Sequence, residues 1–175
     1  MKFSDIPGHD DVKRRLRAMV NADRIPHALL LEGVEGIGKL ALARAFAQYV
    51  HCQNRGIDGE PCGHCSACVQ HQTFNHPDLF FSFPVYKKAS ESVSSDDYID
   101  EWREFLKHSS FASFEDWVNI LQPGTKQPVI YNSEGNEILH KLSMKSYSAP
   151  YKVMIMWLPE KMNQECANRL LKMIE

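Results

Sequence analysis

The chain has 175 residues, 43% of them hydrophobic, which is enough for one core with a small appendage. The formal net charge of −2 excludes a strong overall basic field for nucleic acid, and no apolar run approaches the ~18 residues of a membrane span. Residues 1–8 lack the pattern of a signal peptide, so we expect a cytoplasmic protein whose five cysteines are thiols or metal ligands.

The first predicted element is a helix that His9 or Asp10 caps and that ends near Asn21. One side of this helix is apolar and carries Val12, Leu16, Met19 and Val20. The remaining positions include the cations Lys13, Arg14, Arg15 and Arg17. We interpret these cations as a solvated helix face rather than as a DNA contact, because charge runs usually face water.

A glycine-rich segment follows. The three leucines of 29–31 predict a short buried strand, and a helix ending near Cys52 is expected after the loop. The loop has the G-x-x-x-x-G-K pattern, with candidate phosphate-binding residues Gly33, Gly36, Gly38 and Lys39. In such loops backbone N–H groups converge on an anion at a helix N-terminus. However, Leu40 stands where magnesium coordination requires a hydroxyl.

Four cysteines are clustered within 17 residues in the pattern C-x9-C-x2-C-x2-C, namely Cys52, Cys62, Cys65 and Cys68. Zinc prefers four soft ligands in a tetrahedron, and the x2 spacing lets two thiolates of one turn reach one ion. The pattern therefore predicts a closed, structural zinc site without an open position for catalytic water. His51, His64 and His71 could replace a ligand, but four thiolates already complete the shell.

The second half of the chain begins with a short helix at 69–74 and a strand at Leu79–Phe83, which Pro84 ends. Residues 85–128 are predicted to be an insertion with two helices. The first opens at Ser94 and the second at the capping box of Ser113. We interpret their aromatic faces as packed core rather than as a partner-binding surface.

The last elements complete an α/β pattern. A brief extended piece at 129–131 precedes a helix from Ser133 to about Lys145. A third strand at Tyr151–Leu158 is apolar on both faces, as expected of a central parallel strand covered by helices. Asn163 caps a final helix that continues to Glu175 without a stop signal, so we expect the natural domain to extend further.

The order of these motifs resembles the N-terminal ATPase-like domain of bacterial clamp-loader subunits, most closely the delta-prime family of DNA polymerase III. The matching segments extend nearly from end to end: Ile25–Gly33, the loop to Lys39, Leu42–Phe46, Pro61–Cys68, His76–Asp78, Tyr151–Met156 and Met162–Lys172. The resemblance implies an AAA+ fold over 1–175, a P-loop three-layer core with a parallel sheet. It includes a zinc knuckle at about 52–68 and a helical insertion at about 85–128, with lid and collar domains beyond.

The resemblance also implies where a working ATPase would hold its chemistry. Its third strand should end in Asp-Glu, but Trp157 and Leu158 stand at the matching positions. Neither side chain can coordinate magnesium or orient water, and Leu40 removes the loop hydroxyl. Glu160 lies out of register and follows a proline. We therefore expect no catalytic residues, no ATP hydrolysis and no tight ATP binding.

The function implied by the resemblance is that of a non-catalytic clamp-loader subunit, which helps place the sliding clamp on primed DNA. Its partners would be the motor and delta subunits of a hetero-oligomeric ring, with DNA reached only through the complex. The alternatives are an ATP-hydrolysing motor subunit (gamma/tau-like) or another P-loop NTPase. A zinc-bearing DNA-binding module is disfavoured, because it would need a basic face, and the segment between Cys52 and Cys68 has one arginine, Arg55, against the acidic Asp58 and Glu60.

Overall fold

The computed structural model describes residues 1–87, 92–108, 111 and 113–174. Within these residues, the regular elements are α1 (Asp10–Asn21), α2 (Lys39–His51), α3 (Ser66–Gln72), β1 (Leu79–Ser82), α4 (Ile99–His108), α5 (Phe114–Leu121), α6 (Asn132–Ser143), β2 (Val153–Met156) and α7 (Gln164–Ile174). Single 3-10 turns occupy Phe3–Asp5, Ser95–Tyr98 and Pro159–Lys161. None of the helices in this described part has the length and apolar character that a membrane span requires.

The two strands form a small parallel sheet. The Val153 N–H donates to the Asp78 carbonyl at 2.9 Å, and the Trp157 N–H donates to the Ser82 carbonyl at 2.8 Å. Both strands advance together along this ladder, so they are parallel. The chain divides into two compact units, which we describe separately. The first comprises Met1–Leu79 with Ser146–Val153, and the second comprises Phe80–Lys145 with Met154–Glu175.

In the first unit, α1 and α2 pack against each other, and α2 also packs against the N-terminal 3-10 turn. Their shared core consists of Phe3, Ile6, Leu16, Val20, Ala41, Leu42, Ala45, Tyr49 and Val50. Val12 and Met19 pack against its margin, which confirms the apolar face predicted for α1. The helical spacing of its apolar residues was sufficient to orient this helix.

The cations of α1 only partly form the predicted solvated face. Arg14 and Arg15 are exposed. Lys13, in contrast, is 7% exposed, and its ammonium group donates to the Ile6 carbonyl. Arg17 forms an ion pair with Glu60. The prediction was wrong for Lys13, because a long aliphatic stem can cover apolar surface while its charged end finds a carbonyl.

The buried strand predicted at 29–31 is also wrong. In the structure this segment belongs to no strand, and Leu29 and Leu30 are 41% and 72% exposed. Among the described residues the sheet consists of β1 and β2 alone. An apolar run carries a tendency to be buried, but a strand also requires a partner for its N–H and C=O groups.

The second unit is organised around aromatic side chains. Phe83 stacks on Trp102 with ring centroids 4.1 Å apart, and the Trp117 ring meets Trp102 edge-on at 5.3 Å. The Trp117 Nε1–H donates to the Pro84 carbonyl at 2.7 Å, so the polar edge of this ring is satisfied. The interpretation of the aromatic faces of α4 and α5 as packed core is confirmed, since Trp102, Phe105 and Trp117 are buried.

A further apolar cluster joins α6 and α7 through Ile130, Ile138, Cys166 and Leu170. Near it, the buried Glu134 carboxylate accepts the Ser95 N–H at 2.6 Å, which anchors the turn before α4. Burial raises the pKa of Glu134 above its usual value. This hydrogen bond connects Ser95, in the 85–128 segment, to Glu134 of α6 within the same unit.

Most element bounds agree with the sequence prediction. The capping box at Ser113 is present, and its hydroxyl accepts the Asp116 N–H at 3.2 Å. α3 begins three residues earlier than predicted, and β2 is confined to Val153–Met156. The predicted end of the last helix, Glu175, lies outside the described residues. The structure therefore supports the α/β class with a small parallel sheet.

Candidate metal centre and phosphate loop

The four clustered cysteines come from three adjacent pieces of the first unit. Cys52 follows directly on α2, and Cys62 lies in the turn region before α3. Cys65 is the residue that precedes α3, and Cys68 lies in its first turn. Gly63 has φ of +81°, a conformation that favours glycine and that lets the chain turn between the second and third cysteines.

The cysteine sulfur atoms converge. All four Sγ atoms lie within 4.8 Å of one another, and the Sγ atoms of Cys62 and Cys68 are 3.9 Å apart. Tetrahedral zinc with Zn–S bonds of about 2.3 Å requires S···S separations of about 3.8 Å. The donor set and its spacing thus fit one thiophilic ion, and these four cysteines could hold a metal ion.

Backbone hydrogen bonds prepare two of these sulfurs. The N–H groups of His64 and Cys65 lower the pKa of the Cys62 thiol to about 6, so this residue favours the thiolate that a metal binds. The Cys52 Sγ accepts the N–H of Cys62 at 3.3 Å. Burial raises the pKa of Cys68 to about 12. A bound cation would offset that burial term by stabilising the thiolate directly.

The histidines near the cysteines separate into two groups. His64 is exposed, and its Nδ1 lies 3.0 Å from the Cys62 carbonyl, to which it donates. His51 and His71 do not join the sulfurs but lie with His76 in a buried group of their own. Sequence reasoning did not name His76 as a possible ligand, because no regular spacing connects it with the other two.

The phosphate loop has the backbone form of a turn that leads into a helix. Gly36 and Gly38 have φ of +77° and +94°, and Gly38 directly precedes α2. The Lys39 ammonium group donates to the carbonyls of Gly33 and Val34 at 2.6 and 2.8 Å. The lysine therefore binds the carbonyl groups of its own loop.

Two further contacts define the loop. The ring Nε2 of His9 lies 2.8 Å from the Ile37 carbonyl, to which it donates. Leu40 is only 8% exposed and occupies the first turn of α2 as an apolar side chain. The loop thus places a helix N-terminus beside a lysine that is bonded to loop carbonyls, and position 40 carries no hydroxyl for a magnesium ion.

The end of β2 carries apolar packing. Trp157 is 9% exposed, and its ring centroid lies 5.3 Å from that of Trp102 and 5.2 Å from that of Phe105. Leu158 is half-buried with φ of +56°. Glu160 is exposed. Within the described residues 157–160, which follow the strand, no carboxylate is buried.

Asp78 forms an anion site that sequence reasoning missed. Its carboxylate is fully buried and accepts the N–H groups of Tyr147, Ser148 and Ala149 at 2.6, 2.7 and 2.9 Å. The Ser148 hydroxyl adds a fourth bond at 3.2 Å. Burial acts to raise the pKa of Asp78, but these hydrogen bonds outweigh it and hold the pKa below the usual range. The sequence signal was a lone acidic residue between a proline and an apolar strand.

Comparison with known proteins adds a family assignment to this geometry. The family described as "DNA polymerase III, delta subunit" matches residues 8–175. A DNA polymerase III subunit tau of Escherichia coli strain K12 is 35% identical over 77 residues, which are 44% of this chain and 12% of that protein. A subunit gamma of Buchnera aphidicola is 41% identical over 68 residues, which are 39% and 19% of the two chains.

A DNA polymerase III subunit gamma/tau of Mycoplasma pneumoniae is 33% identical over 79 residues, or 45% of this chain and 11% of that protein. The matched segments therefore span between a tenth and a fifth of these relatives. The family match, in contrast, covers almost the whole chain. This chain belongs to the DNA polymerase III delta subunit family, whose members are clamp-loader subunits.

Proposed function

We propose that this chain is part of a non-catalytic, delta-prime-like subunit of the bacterial DNA polymerase III clamp loader. Such a subunit helps place the sliding clamp on primed DNA without hydrolysing ATP itself. The observation that carries the proposal is the burial of Trp157 within an aromatic cluster at the end of β2. By resemblance, this is where a motor subunit would hold its magnesium-binding carboxylate.

The chemistry of phosphoryl transfer explains why this observation matters. The transferred phosphoryl group is stabilised mainly by positioning and by charge, with magnesium held between a loop hydroxyl and a strand carboxylate. Leu40 and Trp157 are apolar and packed. An acidic side chain at the Trp157 position would lose its packing against Trp102 and Phe105 and would carry a buried charge.

For the loop, we propose a degenerate phosphate site made of Gly33, Gly36, Gly38 and Lys39 that does not bind ATP tightly. A nucleotide would have to displace the Lys39 ammonium group from the carbonyls of Gly33 and Val34. Without magnesium, the anion would also lack the cation that normally bridges its phosphates. The loop then serves as the connection that starts α2.

We assign a structural role to the cysteine knuckle, defined as residues 52–68. Its ligands would be Cys52, Cys62, Cys65 and Cys68 around one zinc ion, which supplies cross-links that a short loop-rich segment lacks. The S···S distance of 3.9 Å between Cys62 and Cys68 supports this assignment. Four thiolates would fill the coordination shell, so the ion would have no position for water chemistry.

The proposed partners are the motor and delta subunits of a hetero-oligomeric ring, with DNA reached through the complex. A second candidate function is that of an ATP-hydrolysing, gamma/tau-like motor subunit. It is favoured by the names of the relatives above and by the presence of Lys39 in the loop. The two candidates differ in one measurable property, the intrinsic hydrolysis of ATP.

The deciding experiment measures phosphate release by the full-length protein with magnesium, ATP and primed DNA. We expect the rate to remain at background, and we expect labelled ATP to bind no more tightly than the millimolar range. Lys39→Ala serves as the control, because contaminating ATPase survives this change. A steady turnover that Lys39→Ala abolishes, or a micromolar dissociation constant, would establish the motor function instead.

Partner assembly requires its own measurement. The full-length protein should co-purify with clamp-loader motor and delta subunits from an expression mixture of the three. Assembly should persist in Lys39→Ala, since the proposal assigns this residue no role in holding partners. Failure of the wild-type protein to enter any such complex would contradict the proposed function.

A further inference from the structure

Three buried histidines form a compact cluster in the first unit, separate from the cysteine knuckle. His51 ends α2, His71 lies in α3 and His76 precedes β1. They are 3%, 6% and 4% exposed. The His51 ring centroid lies 4.2 Å from that of His76 and 5.0 Å from that of His71. One nitrogen from each ring lies within 4.8 Å of the others.

The hydrogen bonds of His51 fix its tautomer. Its Nε2 lies 3.0 Å from the Tyr151 carbonyl, and a carbonyl can only accept, so Nε2 carries the proton. The Nδ1 lone pair of His51 therefore points to the His71 Nε2, which lies 2.9 Å away and donates to it. A backbone carbonyl that holds the far N–H of an imidazole is the usual support of a metal-binding histidine.

We propose that His51, His71 and His76 form a second metal site, which takes a divalent ion of the zinc class through imidazole nitrogens. The His51 Nδ1 already presents a lone pair. His71 presents its Nε2 when its proton moves to Nδ1 of the same ring, so the ion enters without net loss of a proton from that residue. His76 supplies the third nitrogen in exchange for the 3.1 Å hydrogen bond that its Nδ1 accepts from the backbone N–H of Asp78.

The spacing of the nitrogens suits such an ion. Tetrahedral zinc with Zn–N bonds of about 2.0–2.1 Å requires N···N separations of about 3.3 Å. The His51–His71 pair stands at 2.9 Å, and the set lies within 4.8 Å. Modest ring movements would therefore bring the three nitrogens onto one ion. Neutral imidazole is a ligand that zinc, nickel, copper and cobalt accept.

The surrounding charges act in both directions. The Asp78 carboxylate favours positive charge on both His51 and His76. Arg44 and the amino terminus act against positive charge on His71. Because the Nδ1 of His51 accepts the N–H of His71, this lone pair of His51 is available to an ion without loss of a proton.

Such an ion would cross-link the end of α2, the end of α3 and the lead-in to β1. The site is distinct from the cysteine knuckle, because the sulfur atoms and the ring nitrogens form two separate ligand groups. The proposal therefore does not depend on zinc at the cysteines. Cobalt bound at the two sites would also differ in its absorption spectrum, since thiolates give cobalt an intense sulfur-to-metal charge-transfer band and imidazoles do not.

The test uses the full-length, reduced protein, stripped of metal and titrated with Co²⁺, with bound cobalt counted after desalting. The wild-type protein should bind two equivalents, one with the sulfur absorption and one without it. His71→Gln and His76→Gln should each bind one equivalent and retain the sulfur absorption, which also shows that the knuckle is folded. His140→Gln is the matched control, an exposed histidine that should leave both equivalents in place.

Two results would overturn the proposal. One is saturation of the wild-type protein at a single equivalent with full sulfur absorption. The other is a second equivalent that persists in both His71→Gln and His76→Gln. If the wild-type protein binds one equivalent of cobalt without the sulfur absorption, the knuckle assignment is contradicted instead. The titration therefore distinguishes failure of the histidine site from failure of the cysteine site.

Discussion

The cysteine knuckle and the phosphate loop lie in the same unit, but their functional atoms have different surroundings. In the knuckle, four sulfur atoms from a short segment converge on one point, and backbone N–H groups support two of them. In the loop, the Lys39 ammonium group lies against the carbonyls of Gly33 and Val34. The knuckle brings four sulfur atoms close enough to hold one ion, whereas the charged group of the loop is bonded within the loop itself.

This difference shows what each motif needs from the rest of the chain. The knuckle obtains its ligands from three adjacent pieces of chain, so local turns suffice to assemble it. A catalytic phosphate loop needs a hydroxyl, a magnesium ion and a carboxylate from a distant strand. Under the proposed function, Leu40 and Trp157 stand where a motor subunit would hold that hydroxyl and that carboxylate. We therefore expect changes in the knuckle to affect the whole unit and changes in the loop to have small effects.

The largest effect is predicted for Cys62→Ser. If zinc cross-links the knuckle, this change removes one ligand and should lower the free energy of unfolding by more than about 4 kcal/mol, as loss of a structural metal does. Metal analysis should show the loss of one zinc equivalent per chain, the one assigned to the cysteines. Cys166→Ala is the control, because Cys166 is buried in the other unit and should leave the zinc content unchanged. Full zinc retention in Cys62→Ser would contradict the assignment.

A smaller but still large effect is predicted for Trp157→Ala. The change removes a ring that packs against Trp102 and Phe105, so the free energy of unfolding should fall by about 3–5 kcal/mol. Trp157→Phe keeps most of the apolar contact and should cost clearly less in the same denaturant titration. Trp157→Asp tests the function at this position, and it should be unstable and without ATPase activity. A stable Trp157→Asp protein with magnesium-dependent hydrolysis would mean that the strand end remains close to a catalytic arrangement.

An intermediate effect is predicted for Asp78→Asn, which tests the backbone N–H groups that bind the Asp78 carboxylate. The amide would place an NH2 group against backbone donors, so unfolding should become easier by about 2–3 kcal/mol at pH 7. The pKa of Asp78 is lowered in the folded state. Its contribution is therefore fully present above the unfolded pKa of about 3.9 and is lost as the pH falls through the folded pKa. Unfolding measured from pH 7 to pH 2 should show the two proteins converging at low pH.

A constant difference between Asp78→Asn and the wild-type protein across that pH range would show that the carboxylate charge is not what stabilises the loop. Asp58→Asn serves as the matched comparison. Asp58 is exposed, and its carboxylate accepts the Glu60 N–H at 3.1 Å within one turn. We expect its replacement to change the free energy of unfolding by less than about 1 kcal/mol.

Local patterns in the sequence predicted the local parts of this structure. The spacing of apolar residues placed α1, and the Ser113 capping box placed the start of α5, because both depend on neighbours within one or two turns. The proximity of the four cysteine sulfur atoms was likewise predicted from their spacing. The strand predicted at 29–31 does not form, because a strand needs a pairing partner and that partner comes from distant residues.

Polar sites assembled from distant positions were missed for the same reason. The carboxylate of Asp78 meets N–H groups about 70 residues further along the chain, and His51 meets the Tyr151 carbonyl 100 residues away. No periodicity marks such partners. Lys13 was predicted to be exposed because it belongs to a run of cations. Its ammonium group instead reaches the Ile6 carbonyl, and the side chain is buried.

The smallest effect is predicted for Lys39→Ala, the change that would disable a working phosphate loop. Here it removes two hydrogen bonds to loop carbonyls at a solvent-accessible site, so the free energy of unfolding should change by less than about 1 kcal/mol. If the subunit is non-catalytic, clamp loading by the assembled complex should remain within about twofold of the wild-type rate, a difference of about 0.4 kcal/mol. Clamp loading on primed DNA measures this directly, with Cys62→Ser as the variant expected to fail. A tenfold or greater loss in Lys39→Ala, with normal assembly, would mean that nucleotide at this loop contributes to the reaction and that the loop's contacts with its own lysine are a resting state.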